Sequence, residues 1–283
     1  MKPSTLSLKL VLQTLAIIVC YFLAARLGLL LALDNSNVSP VWPPSGLAFA
    51  LILVLGYRAW PGIWIGAFIA NLAVFTLNQA ASPTVNIYMS LSIATGNTLE
   101  AVAGAYLFHR FINMELMFEK YQNIFWFLGI AFVAAFISAC TGINTLLAGN
   151  VINWNESVDV GYTWLLGDVA GIVIISPLIL AWSVARREHK EPAFSYRIEF
   201  LVNVVLLSAL AYFILLSPSE TDELADIKTY MLLPFLLWGA FRLHQRELVV
   251  LLTIVSILAV LGTIQGKGPF MEQTLNESLL ELQ

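Results

Sequence analysis

The chain has 283 residues, 59% hydrophobic and 11% charged, with a mean hydropathy of +0.82 and a formal net charge of −4. A soluble domain carries roughly 25% charged residues, so this composition excludes a soluble globular fold, and no polar stretch is long enough to form a separate aqueous domain. Nor does so acidic and sparse a charge balance support nucleic-acid binding.

The N-terminal MKPSTLSLKLVLQ sets basic residues ahead of an apolar stretch, as a signal peptide does. No small-residue cleavage site follows and Arg26 interrupts the run, so a retained first span is expected at 8–33. Residues 45–60 form a shorter second span. They follow WPPSG (42–46), whose Pro43 and Pro44 suit a first helical turn, and end at Tyr57, Arg58 and Trp60 before Pro61 and Gly62. Runs of about 20 apolar residues, enough for roughly 30 Å of hydrocarbon, continue at 61–77, 84–108, 121–148, 160–183 and 197–216. The run 229–264 is too long for one span, and FRLHQRE (241–247) divides it into spans at 229–241 and 247–264. The expected fold class is all-α: one polytopic transmembrane helical bundle over residues 1–283, with about nine spans.

A cytoplasmic N-terminus puts Lys2, Lys9, Arg58, Arg110, Lys120, Arg186, Arg187, Lys190, Arg197, Arg242 and Arg246 on the cytoplasmic side, 11 of the 14 basic residues. Lys228 and Lys267 fall outside, together with Asp34, Glu156, Asp159 and the acidic SPSETDELAD (217–226). This asymmetry fits the positive-inside bias. An odd span count leaves the C-terminus outside, and the tail 266–283 is expected to lie on the outer face or to open a tenth helix after Asn276. A weak internal repeat is also legible. GAFIAN (66–71) resembles AAFISA (134–139) at an offset of 68, and GN (96–97) resembles GD (167–168) at an offset of 71, as in folds built from parallel repeats around a central site.

Glu100 and Asp168 stand in the middle of apolar runs, where an ionised carboxylate costs roughly 2.5–3.5 kcal/mol on insertion scales. Asn97, Glu100 and Gly104 recur at steps of three and four and share one helical face, as do Trp164, Asp168 and Gly171. Counting along the spans puts Asn71, Glu100 and Asp168 within about two turns of the midplane. Arg26, in the outer half of the first span, is expected to pair with Asp168, either at an outer pocket or simply to hold helices together. Glu100 lies deeper toward the cytoplasm beside Asn97, with no evident counter-charge. It is a protonated carboxyl bonded to a neighbouring helix, the polar floor of a ligand pocket, or a titratable switch. Trp42 and Ser45 of WPPSG are expected at the outer mouth, in an interfacial turn or in a helix start that offers free N–H groups to an anion. Pro177 and Pro234 interrupt the sixth and eighth spans as kinks or hinges.

Cys20 and Cys140 lie in apolar runs and imply no disulfide. His109, His189 and His244 all fall at the cytoplasmic edge, in no haem- or zinc-binding arrangement. No phosphate loop, Gly-x-Ser-x-Gly elbow or HExxH occurs, so neither a catalytic residue nor a cofactor or metal is expected. No decisive GxxxG face stands out.

Taken together, WPPSGLAFALILVLGYRAWPGIWIGAFIANL (42–72), GNTLEAVAGAYLFHR (96–110), GDVAGIVIISPLIL (167–180) and WGAFRLHQRE (238–247) resemble the first bacterial membrane-associated sensor domain, the MASE1 type. The resemblance covers most of the chain and singles out Trp42, Pro43, Asn97, Glu100, Gly104, Asp168 and Gly171. It implies a non-catalytic sensory module of the bacterial inner membrane, joined through a last helix to a cytoplasmic histidine kinase or diguanylate cyclase in cis or in trans. No kinase motif and no GGDEF occurs in these 283 residues. The expected partners are the lipid bilayer, that output domain, and a small polar or anionic ligand or a membrane partner protein held in the bundle. Two other readings stay open: a proton- or sodium-coupled secondary transporter, suggested by the repeat and the midplane carboxyls, and a scaffold whose carboxyls are structural.

Overall fold

The structure is a computed structural model that describes residues 5–30, 39, 41–185, 194–216 and 229–269. Lys2, Asp34, Arg186, Arg187, Lys190, the acidic stretch 217–226, Lys228 and the tail from 270 lie outside the described residues. Nine α-helices of ten residues or more lie among those described: α1 (Thr5–Leu30), α2 (Pro43–Leu55), α3 (Trp60–Leu77), α4 (Pro83–Phe111), α5 (Tyr121–Ala148), α6 (Ser157–Ala185), α7 (Phe194–Leu215), α8 (Leu233–Arg242) and α9 (Gln245–Ile264). They occupy the nine expected segments. Six elements are long and apolar enough to cross a membrane: α1, α3 with its preceding turn, α5, α6, α7 and α9. The long α4 is more polar and hides that polarity, with Asn86, Ser90, Asn97, Thr98 and Glu100 all buried.

Two helices fall short. At 1.5 Å per residue α2 spans about 20 Å and α8 about 15 Å, less than the roughly 30 Å of a hydrocarbon core. Pro234 does not interrupt a span as expected, but stands in the first turn of α8, where its missing N–H costs nothing. Pro177 does lie inside α6.

Local chemistry sets the ends of several helices. The helices α3, α5 and α9 stop in the same way, with a left-handed residue (Gln79, Asn150 and Gly266) after the last turn. In each, the next N–H reaches back five residues, as from Ala80 to Phe75 O, Val151 to Leu146 O and Lys267 to Gly262 O. Gln79 and Asn150 stand 71 positions apart.

The chain divides into two compact units, Met1–Ser176 and Pro177–Gln283, with the boundary inside α6 at Pro177. In the first unit α1 buries one narrow stripe, Ile17, Tyr21 and Ala25, and leaves Leu12, Leu15, Val19, Leu23 and Leu27 exposed. That stripe meets Gly62 and Gly66 of α3. A Cβ at Gly62 would lie 2.8 Å from the Ile17 Cβ, and one at Gly66 2.8 Å from the Tyr21 Cβ. Gly62 and Gly66 thus form the GxxxG face that the sequence reading passes over, and it serves packing within the chain. Deeper in the unit the Phe49 ring meets Phe108 and Phe127 edge to face, while buried alanines (Ala50, Ala67, Ala94, Ala131 and Ala134) bring the helices close.

In the second unit Leu207, Ala211 and Leu215 of α7 pack with Leu232, Leu251 and Ala259. Glu199 on α7 takes two bonds from the Arg242 guanidinium, at 2.8 and 3.1 Å, and one from the Trp238 indole, at 2.9 Å, so α8 is oriented on α7. Arg246 lies over the Trp182 ring and meets Glu247.

Two glycines on packed and open faces give a paired expectation. Gly66→Ala should destabilise the protein by about 1–3 kcal/mol through overpacking against Tyr21. Gly129→Ala, on an exposed face of α5 with nothing near its Cβ position, should be neutral or stabilise by up to about 1 kcal/mol. Thermal unfolding in detergent micelles checks the pair, and equal effects would contradict the α1–α3 contact.

Candidate functional site

The site grows from the irregular start of α2. Trp42 is the N-cap and Pro43, Pro44 and Ser45 are the first three helical residues. A helix start leaves up to four N–H groups without partners, and within a bundle each would be costly. Here all four are accounted for. The Trp42 N–H bonds to Gly167 O of α6 at 2.8 Å, Pro43 and Pro44 have none, and the Ser45 N–H bonds to Trp42 O at 3.2 Å. The prolines therefore let a helix begin among other helices. The expectation that WPPSG offers free N–H groups to an anion is corrected for that reason.

The position of α2 is also corrected. Glu100 is the eighteenth residue of α4 and Asp168 the twelfth of α6, about 25 and 17 Å along their helices, and Ser45 meets both. Its Oγ lies 3.0 Å from Glu100 Oε2 and 2.7 Å from Asp168 Oδ1. The segment WPPSG therefore sits well inside the bundle rather than in an interfacial turn at its mouth. Backbone contact holds it there. A Cβ at Gly171 would lie 2.0 Å from Trp42 O, and one at Gly46 2.0 Å from Gly171 O. Ser176 Oγ donates to Gly46 O at 2.9 Å. Gly167, Asp168, Gly171 and Ser176 thus present one small, polar face of α6 to the α2 start, and Gly104 of α4 receives the Phe49 ring.

Beside this junction runs a second chain of bonds. Asn97 Nδ2 donates to Tyr21 Oη at 3.1 Å, Ser138 Oγ donates to Asn97 Oδ1 at 3.1 Å, and Trp164 Nε1 donates to Ser138 Oγ at 3.2 Å. Ser138 also flanks both carboxyl groups. Side chains of α1, α2, α4, α5 and α6 therefore meet in one buried polar layer.

The sequence-derived candidates divide accordingly. Asn97, Glu100, Asp168, Ser45 and Trp164 come together, and the half-buried Trp42 caps α2 with its ring on Gly28 of α1. Glu100 and Asp168, expected at different depths, share one hydroxyl. Depth counting fails here because it sets every helix start at a membrane face and ignores tilt. Asn71 stays out, its amide bonded to Ala67 O of its own helix. Arg26 does not meet Asp168: the arginine is exposed and the aspartate fully buried. The sequence reading missed Tyr21 and Ser138. Their signals were faint, a lone tyrosine on the α1 face toward Gly66 and the serine of AAFISA.

The electrostatics of the cluster are one-sided. Lys9, Arg26, Arg58, Arg110 and Lys120, the described basic residues of the first unit, are all exposed. Glu100 Oε1 and Asp168 Oδ2 are buried and have no hydrogen-bond partner among the described residues. Ser45 has a single hydroxyl hydrogen for two carboxyl oxygens. Both contacts cannot draw on that one hydrogen at once.

Pro44→Ala adds a buried N–H in the first turn, where the helix itself offers no acceptor, and should cost about 1–3 kcal/mol. Gly171→Ala drives a methyl group into the Trp42 carbonyl and should cost at least as much. Denaturation of the purified variants measures both, and neutral outcomes would contradict the buried start of α2.

Comparison with known proteins agrees with this architecture. The MASE1 family model matches residues 13–283. A probable diguanylate cyclase, DgcE, of Escherichia coli (strain K12) is 22% identical over 248 residues, which is 85% of this chain. The chain spans only 20% of that relative's length. No solved structure matches. With its match running over nearly the whole sequence, the chain belongs to the MASE1 family of membrane sensory domains.

Proposed function

We propose that the chain is the sensory module of a bacterial inner-membrane signalling protein, with its N-terminus on the cytoplasmic side. It binds its signal at the Ser45–Glu100–Asp168 junction and passes it to a cytoplasmic cyclase or kinase. The observation that carries this reading is the seating of α2. A short helix starts inside the bundle and is held by one hydroxyl between two carboxyl groups and by carbonyl-to-glycine contacts with α6. An occupant there changes the grip of α4 and α6 on α2. To move a balance from 1:99 to 99:1 it must prefer one seating by about 5.5 kcal/mol. Membership of MASE1 and the likeness to a probable diguanylate cyclase support an output that makes or responds to cyclic di-GMP. The junction favours a neutral or cationic ligand over the anionic one expected, because two buried carboxyl groups, with no buried basic residue among the described residues, repel an anion.

A secondary transporter is the second reading. A broken helix ending at buried carboxyls is how several carriers build ion sites.

The test joins residues 1–283 to a diguanylate cyclase reporter. Ser45→Ala, Glu100→Gln and Asp168→Asn should each change cyclic di-GMP output by several-fold at equal membrane abundance. Loss of abundance alone would leave a scaffold. Solute uptake by vesicles holding only this chain, abolished by Glu100→Gln, would favour the carrier.

A further inference from the structure

We infer that the Ser45–Glu100–Asp168 junction is a binding site for a small monovalent cation of the sodium class, taken up in exchange for a proton. The inference rests on the reading of the junction as the sensory site and names its ligand.

Hydrogen counting gives the first step. With one added proton, Glu100 donates to Ser45 Oγ and Ser45 donates to Asp168 Oδ1, and the shorter contact, 2.7 against 3.0 Å, falls on the carboxyl left charged. Every hydrogen is then placed, yet one negative charge stays buried. The second oxygen of each carboxyl, Glu100 Oε1 and Asp168 Oδ2, also remains without a partner. No basic side chain answers that charge, since the described lysines and arginines of this unit are exposed. Tyr21 on α1 is the remaining titratable side chain facing the pair among the described residues, and α2 and α5 contribute the hydroxyls of Ser45 and Ser138.

Ligand chemistry selects the ion. Two carboxyl groups and one hydroxyl supply five oxygens from α2, α4 and α6. Calcium takes six to eight oxygens, and magnesium keeps several waters that need room. A monovalent ion with few oxygens is the better match for a tightly packed site. On entry the ion coordinates the carboxylates, the Glu100 proton leaves to solvent, and charge is conserved. The two helices that would supply the carboxyl oxygens, α4 and α6, also hold the α2 start, so exchange tightens or loosens α2.

The experiment follows thermal unfolding of the full chain in detergent micelles at constant ionic strength, with sodium chloride replacing choline chloride. Sodium should raise the unfolding temperature, and its half-effect concentration should rise about tenfold for each unit fall in pH, as one-for-one competition requires. Glu100→Gln and Asp168→Asn should abolish the shift and Ser45→Ala should weaken it. Glu119→Gln, an exposed carboxyl outside the cluster, should leave it unchanged. A pH effect without any sodium effect would overturn the inference in favour of a proton alone. A calcium effect at lower concentration than sodium's would overturn the choice of ion, and a sodium effect surviving in Glu100→Gln would place the site elsewhere. Sodium binding without a change in reporter output would leave the site standing and remove the sensory reading.

Discussion

One hydroxyl group organises the first unit. Ser45 stands at the third position of a helix that begins inside the bundle, and its oxygen lies within hydrogen-bond distance of carboxyl groups from two other helices. The rest of the arrangement makes that position tenable. Two prolines delete the N–H groups that would otherwise be stranded, Gly46 and Gly171 allow backbone to touch backbone, and the Trp42 N–H finds a carbonyl on α6. Remove any of these and a polar helix end is left in an apolar interior, where each unpaired group costs several kcal/mol.

The same logic explains why the polar layer is shared by five helices. The Asn97 amide donates to Tyr21 on one side and accepts from Ser138 on the other, and Ser138 is itself bonded by Trp164. The two carboxyl groups do not close in this way, because each retains an unpaired oxygen. Asn86 in the same unit also keeps a buried unpaired oxygen, but only Glu100 and Asp168 combine one with a group that can carry charge and with a shared hydroxyl, which is what singles them out among the described residues of that unit.

Much of this was legible in the sequence, and the failures have definite causes. Helix positions followed from apolar run length, and the inward faces of Asn97, Glu100 and Gly104 and of Asp168 and Gly171 followed from helical periodicity. The cost of a buried charge pointed to Glu100 and Asp168 without any structure. The depth of α2 was not legible. A Trp-Pro-Pro-Ser-Gly segment reads equally as an interfacial turn or as a buried helix start, and only tertiary contacts decide. The same ambiguity misassigned Arg26, whose long side chain reaches the surface while Ser45 takes the place expected for it at Asp168. The Gly62 and Gly66 pair was overlooked because it sits beside Pro61 at a helix start, where glycine reads as a breaker.

The most direct measurement of the account is a double-mutant cycle between Ser45→Ala and Asp168→Ala, read from reversible denaturation of the purified chain. If one hydroxyl seats α2 on α6, the two costs are non-additive, with a coupling of about 0.6–1.7 kcal/mol, the span from average to strongest for side-chain hydrogen bonds in membrane bundles. Strict additivity would mean that Ser45 and Asp168 act separately, and would contradict the seating of α2 on which the site depends.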